Sequence, residues 1–352
     1  MTLGGSVTEK HGELIRETVQ SRSGAGKSAV AASWSRSLLV HGLDPGSLRH
    51  TELADGVSCR RALERLGPLA TIAEPAMDRL FAAVGDSGCC VVLTDAVGII
   101  VERRGKAGDD ASFKEWGLWT GMDWSEATEG TNGIGTCLVE QRPVTIDRAQ
   151  HFFDRNTAMS CMGAPLFDHE GELVGVLDIS SCRSDLTDGF LLLLRNSVAD
   201  AAHRIEAENF ARAYAGFRVI LGSGKAGAGP ELFAVDKDDL LIGATRRARK
   251  AYGLSRESFK KLRPIRDVLE GTQSAPDLDA AERAELRRAL AHANGNAMQA
   301  ARDLGISRAS LYRRMARLSL RLSDLAMCAP NVSRNRDRLG IVVEYRTSPV
   351  VT

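Results

Sequence analysis

Three groups of residues have types and spacings that could do chemistry. The first is NGNAMQAARDLGISRASLYRRM, residues 294–315, which mixes helix caps, a glycine turn and closely set arginines. Across 281–321 nine arginines stand against three acids, Glu282, Glu285 and Asp303, in a chain whose formal net charge is only +1. A local cationic patch of this kind suits nucleic acid. Arginine can bond guanine O6 and N7 bidentately, and further arginines neutralise phosphates. The second group is Cys137, Cys161 and Cys182, which lack metal-site spacing and leave burial or thiol redox chemistry as uses. The third is a pair of glycine-rich runs, GAGKS at 24–28 and GSGKAGAG at 222–229. A phosphate loop needs glycine where Ser21 stands, and an apolar strand before it; Lys225 is followed by neither Ser nor Thr. Neither run reads as a nucleotide site, and no cofactor or metal is expected.

The arginines need a small helical unit to position them. Asp279 can cap a helix whose apolar face is Leu286, Leu290 and Ala293, and Gly295 ends it. Asn296 then caps a second helix carrying Ala300, Ala301 and Leu304. Gly305 supplies a tight turn, and Ser307 opens a third helix that buries Leu311, Met315 and Leu318. Arg308, Ser310, Arg313, Arg314 and Arg317 are left on outward faces. Two short helices about a glycine turn make a helix-turn-helix, whose second helix enters the major groove. The plain alternative is a small bundle with a solvated charged face.

The pattern G-N-x-x-x-A-A-R-D-L-G-I-S-R-x-S-L-Y-R-R resembles the Fis-type helix-turn-helix that ends many bacterial enhancer-binding regulators. The match runs from Asn294 to Leu318, with Ser310 where threonine is common. The resemblance implies a homodimer on double-stranded DNA, paired through the helix at 279–293. It also implies Arg308 and Ser310 at bases or adjacent phosphates, and Arg313 and Arg314 on the backbone. Ser307, Tyr312, Arg317, Asn296 and Gln299 complete the expected DNA-binding set.

A chain of 352 residues is long for one core, so two or three domains are expected. Residues 1–33 are polar and read as frayed until a short helix around Trp34–Val40. Apolar spacing from Leu66 to Val84 predicts a helix, CCVVLTD and IIVERR two strands, and 186–214 a closing helix. Between them PVTI, SCMGAPLFD and ELVGVLDIS read as strands, the last two joined by a hairpin at HEG. The result is an antiparallel sheet flanked by helices, an α+β unit at 66–210 behind a helical lead-in at 1–65. After the spacer, 215–271 reads as strand, turn, strand, helix; 277–321 is the all-α reader and 322–352 a tail. Arg334, Arg336 and Arg338 in that tail are candidates for extra phosphate contacts or for a solvated end. The longest apolar runs, CCVVL and FLLLL, are far short of a membrane span, and no apolar export segment opens the chain. The seven cysteines read as reduced cytoplasmic thiols.

WSEATEGTNGIGTCLVEQRPVTI (124–146), APLFDHEGELVGVLDIS (164–180) and SWSRSLLVHGLDP (33–45) resemble the GAF sensory region of acetoin-type regulators. Residues 231–254 are similar to the PAS-like unit that follows it in such proteins, in shortened form. In EGTNGIGT the glycines allow close backbone approach, and Thr131 or Asn132 can cap a helix. Its free N–H groups could bond an anion, or the glycines could simply build a tight connection. Trp116, Trp119, Trp124, Thr131, Asn132, His151, Phe152 and Cys161 are the pocket candidates for a small-molecule effector.

Regulators of that type place an ATPase between sensor and reader, and 215–278 is too short to hold one. The expectation is a non-enzymatic regulator that works by contact with RNA polymerase, by repression, or beside a complete enhancer-binding activator. Two other readings stay open. Some GAF domains reduce free methionine sulfoxide with thiols, for which Cys137 and Cys161 would be candidates. The reader could also serve an architectural protein that bends DNA.

Overall fold

The computed structural model describes residues 7–21, 28–47, 55–183, 185–224, 229–261, 263–271 and 278–320. The tail arginines, most of GAGKS and the centre of the 222–229 run lie outside them. The described chain divides into two compact units, one ending at residue 261 and one beginning at Arg263.

The first unit opens with α1 (Val7–Gln20) and α2 (Ala29–Ser35), where a frayed start was expected. Burial decides the difference. Ile15 is fully enclosed with Trp34, Phe152 and Phe153, so a segment of weak apolar signal is held by tertiary contact. Ser28 caps α2 by accepting from Ala31 N at 3.1 Å. Next come α3 (Gly56–Leu66) and α4 (Pro68–Val84), split at Gly67 with proline in the first turn of α4.

Strands β1 (Cys89–Asp95) and β2 (Ile100–Arg104) form the first hairpin. Three short helices follow: α5 (Asp110–Glu115), α6 (Glu126–Glu129) and α7 (Gly133–Glu140). Strand β3 (Val144–Asp147) leads to the hairpin of β4 (Ser160–Phe167) and β5 (Leu173–Ser181), and α8 (Asp188–Ala213) closes the sequence. The sheet is antiparallel, in the order β2-β1-β5-β4-β3.

Strand alternation sorts this sheet into two apolar faces. Val91, Leu93, Met162, Ala164, Leu177 and Ile179 pack beneath α4 and α8. Cys90, Val92, Cys161 and Val176 pack on the other side beneath Phe113, Trp124, Ile134 and Cys137, which the α5–α7 region supplies. Each large side chain fully enclosed there contributes roughly 1.5–3 kcal/mol.

Strands β6 (Arg218–Leu221), β7 (Leu232–Val235) and β8 (Leu241–Ala244) make a separate antiparallel sheet, with α9 (Arg246–Ala251) beside it. Strand β6 adds to the two strands read from sequence.

The second unit contains α10 (Ile265–Glu270), α11 (Leu278–His292), α12 (Ala297–Asp303) and α13 (Arg308–Arg317). Leu286, Leu290, Ala293, Ala300, Ala301, Leu311, Met315 and Leu318 form one buried cluster, matching the apolar faces read from spacing. Gly305 takes φ 64° between α12 and α13, the left-handed turn that glycine makes without strain. Asp279 sits inside the first turn of α11 and pairs with Arg317, a use that the capping expectation missed.

Candidate functional sites: the reading helix and the sensory face

Helix α13 starts cleanly because Ser307 Oγ accepts from Ser310 N at 3.1 Å. Its exposed side carries Arg308, Tyr312 and Arg313. The Arg308 guanidinium lies 5.5 Å from the Tyr312 ring centroid, and Arg313 donates to Ser310 Oγ at 3.3 Å. These contacts are weak enough to exchange for base edges or phosphates. Arg314 and Arg317 are placed differently. Arg314 pairs with Glu282 of α11 at 2.8 Å; Arg317 pairs with Asp279 at 2.7 Å and with Glu282. Asn296 spends its side-chain oxygen on Met298 N and Gln299 N as the cap of α12, and Gln299 donates to Asp303 at 2.8 Å. Asn296 therefore positions the unit by capping, and that bond is already made.

In the first unit the EGTNGIGT run is a buried knot. Gly130 has φ 60°, and a Cβ there would stand 2.6 Å from Phe152. Asn132 accepts from Ile134 N and Gly135 N at 2.9 and 2.8 Å, while its amide donates to the Trp124 and Gly130 carbonyls. The N–H groups that could have bonded an anion are filled from within, which favours the tight-connection reading. Ser33 of α2 donates to Glu126 at 2.5 Å and lies 2.8 Å from the Thr131 hydroxyl, and Arg36 pairs with Glu126 at 2.7 Å. The lead-in is thereby clamped to the motif. Sequence reasoning missed this clamp because nothing local links positions so far apart.

The pocket candidates separate into groups. Trp116, Trp124 and Cys161 share the second sheet face. Trp124 is 1% exposed and donates to the Gly117 carbonyl at 2.8 Å, so it is core. Trp119 is half-buried beneath the Arg103 guanidinium, 4.5 Å from ring centroid to Cζ. Phe152 belongs to the other cluster, with Ile15 and Trp34. Thr131 is fully enclosed.

His151 and Cys161 do meet. His151 Nδ1 lies 3.0 Å from the Arg148 carbonyl, which can only accept, so this nitrogen carries the proton. Burial pulls the imidazole down to about 4, leaving it neutral with Nε2 bare. Cys161 Sγ, 3.3 Å from Nε2, is its donor, and Ser180 Oγ stands 3.1 Å from that sulfur and 2.6 Å from Asp178 Oδ2. Burial raises Asp178 to about 7, and its Oδ1 has no hydrogen-bond partner among the described residues. Desolvation also pushes the Cys161 and Cys137 thiols up, away from the thiolate that nucleophilic chemistry requires. Below about pH 7 this is a neutral buried relay. Alternation in VLDIS was the available signal: it puts Val176, Asp178 and Ser180 on one face, so a carboxyl had to be buried there.

Comparison with known families agrees with this division. Residues 68–205 match the GAF domain, and residues 278–318 match the bacterial regulatory protein, Fis family. The chain joins a GAF domain to a Fis-family helix-turn-helix. The GAF–Fis chain is 32% identical over 228 residues to the acetoin catabolism regulatory protein of Cupriavidus necator, covering 62% of this chain and 34% of that one. It is 30% identical over 134 residues to the acetoin dehydrogenase operon transcriptional activator AcoR of Bacillus subtilis, covering 38% of this chain and 22% of that one. The chain thus spans about a third or less of these relatives' lengths. Among solved structures, the E. coli DhaR(N)–DhaL complex aligns over 68% of this chain and 80% of that one, with a TM-score of 0.48 and 17% identity.

Proposed function

We propose that this chain is a one-component transcriptional regulator, in which the GAF unit senses a small molecule or a partner and governs a dimeric DNA reader. The observation that carries the reading is α13: a serine-capped helix with a buried Leu311–Met315–Leu318 seam and an exposed Arg308–Tyr312–Arg313 side, within a Fis-family match. Such a helix fits the major groove, and two copies would read half-sites about one helical turn apart. The GAF–Fis pairing, and transcriptional regulators among the relatives, support the coupling of sensor to reader.

Signal transfer follows differential binding. An effector that favours one dimer geometry shifts DNA affinity only by its affinity difference between states, typically ~1–3 kcal/mol. The segment between the two matched regions supplies β6–β8 and short helices, so no step of nucleotide hydrolysis enters the scheme. Action by contact with RNA polymerase or a complete activator fits that scheme.

Genome-wide mapping of sites bound by the full-length chain, with and without candidate metabolites, tests the proposal. Discrete sites whose occupancy changes with one metabolite are expected. Uniform or absent binding under every condition would overturn it.

A further inference from the structure

We propose that the GAF unit's second sheet face binds a small monocarboxylate through Arg103, an assignment that rests on reading this unit as a small-molecule sensor. Arg103 stands on β2 opposite Val92 of β1, so alternation turns it to the face shared with Cys90 and Val176. Its side chain is 8% exposed. The guanidinium is held in place without filling its whole hydrogen-bonding capacity. Nη1 donates to Asp110 Oδ1 at 2.8 Å, and the plane lies 4.5 Å from the Trp119 centroid and 5.2 Å from that of Phe113. Gly105 leaves room beside it: a Cβ there would meet Nη2 and Cζ and push the guanidinium aside.

What remains is the edge formed by Nε and Nη2, both buried and, apart from the neutral Cys90 sulfur beside the guanidinium, without a hydrogen-bond partner among the described residues. A buried charged donor pair recovers its desolvation cost only when an acceptor meets it. The neighbouring Cys90 thiol, pushed up by burial, stays neutral and cannot serve as that anion. Elsewhere in this chain the same edge grips a carboxylate: Arg183 donates from Nε to Asp185 Oδ1 at 2.7 Å and from Nη2 to Oδ2. The planar fork matches two carboxylate oxygens, one per N–H.

Local charge selects a single negative charge. Asp110 already balances one cation, and Asp178 on the same face is held largely neutral below about pH 7 by burial. Lys114, whose ammonium lies 4.3 Å from the Trp119 centroid, leaves a surplus of one in that range. A monoanion is favoured over a dianion. Half-buried Trp119, stacked against the Arg103 guanidinium, serves as a fluorescence reporter of occupancy.

The test uses the full chain, with calorimetry and tryptophan fluorescence at fixed ionic strength. The probes are acetate, butyrate and benzoate, their matched amides, and inorganic phosphate. At least one acid should bind at least about tenfold more tightly than its amide. Arg103→Gln should abolish that preference, as should Arg103→Lys, whose single ammonium cannot fork. Asp110→Asn keeps the open edge and should retain it, and circular dichroism melts confirm that each variant is folded. No acid binding, equal affinity for acid and amide, tighter phosphate binding, or an unaffected folded Arg103→Gln would overturn the carboxylate assignment. Thermal-shift screening with uncharged metabolites and duplex binding run in parallel. A neutral ligand with intact DNA binding would sink only the carboxylate, whereas loss of all duplex binding would sink the regulator reading and leave an acid preference standing.

Discussion

Arg314 of α13 and Glu282 of α11 form an ion pair of 2.8 Å, and Arg317 joins the same carboxylate from one turn further on. The resemblance implied Arg314 on the DNA backbone and spacing left Arg317 on an outward face; in the fold both also brace α13 against α11. The pair is half-exposed, so its stabilisation is no more than about 1 kcal/mol. Glu282→Gln should therefore leave the melting temperature nearly unchanged while releasing Arg314, since Arg317 keeps its pair with Asp279. Fluorescence anisotropy of the full chain on duplex DNA should then give a log K against log salt slope steeper by about 1 unit. An unchanged slope would place the brace away from the duplex.

Among the described residues Arg308 has no such brace, and its guanidinium lies over the Tyr312 ring at the start of α13. Arg308→Ala should weaken binding to a preferred site by about 1–3 kcal/mol and relax the preference at one base position. Gel shifts at physiological salt on a site and its single-base variants measure both effects. A loss shared equally by all sequences would reassign Arg308 to the phosphate backbone.

Asn132 carries four hydrogen bonds in a fully enclosed position, two accepted at the start of α7 and two donated to carbonyls. Asn132→Ala should cost about 2–4 kcal/mol, from the lost cap and the groups left unsatisfied. Asn132→Asp should restore only the cap. Thermal or urea unfolding of the full chain separates the two. A ligand role without a structural one would instead leave the unfolding curve of Asn132→Ala where it was.

Much of this fold was legible because its signals are local. The alternation in CCVVLTD, the turn at HEG, and the caps Asn296 and Ser307 each act within a few residues, and the corresponding elements follow them. What escaped reading depends on distant partners. The helix α1 is held by Ile15 against Phe152, the motif by Ser33 against Glu126, and the α13 arginines by α11. The candidate pocket suffered most. Aromatic content pointed to Trp124 and Phe152, which the core consumes, while Arg103 and Asp178 are among the buried polar groups that carry an atom without a hydrogen-bond partner among the described residues. Those two stand out only once strand register puts both on a buried face.

Asp178 gives the unit a pH signature with a definite sign. Its carboxyl is raised from an ordinary 3.8 to about 7 by burial. Between those values the folded chain holds a proton that the unfolded chain has released. The contribution is therefore fully present below the unfolded pKa and is lost as pH rises through the folded one. Glu206, raised to about 8 by burial, acts in the same direction, whereas His151, lowered to about 4, acts in the opposite one below pH 6.5. Asp178→Asn removes the first effect and leaves the other two. Relative to wild type, the variant should gain stability progressively as pH rises from about 4 to about 7, and the difference should be flat above that. Melting temperatures of both proteins across this range measure it. A constant difference would mean that Asp178 is ionised throughout, and that the Cys161–Ser180–Asp178 relay carries a negative charge.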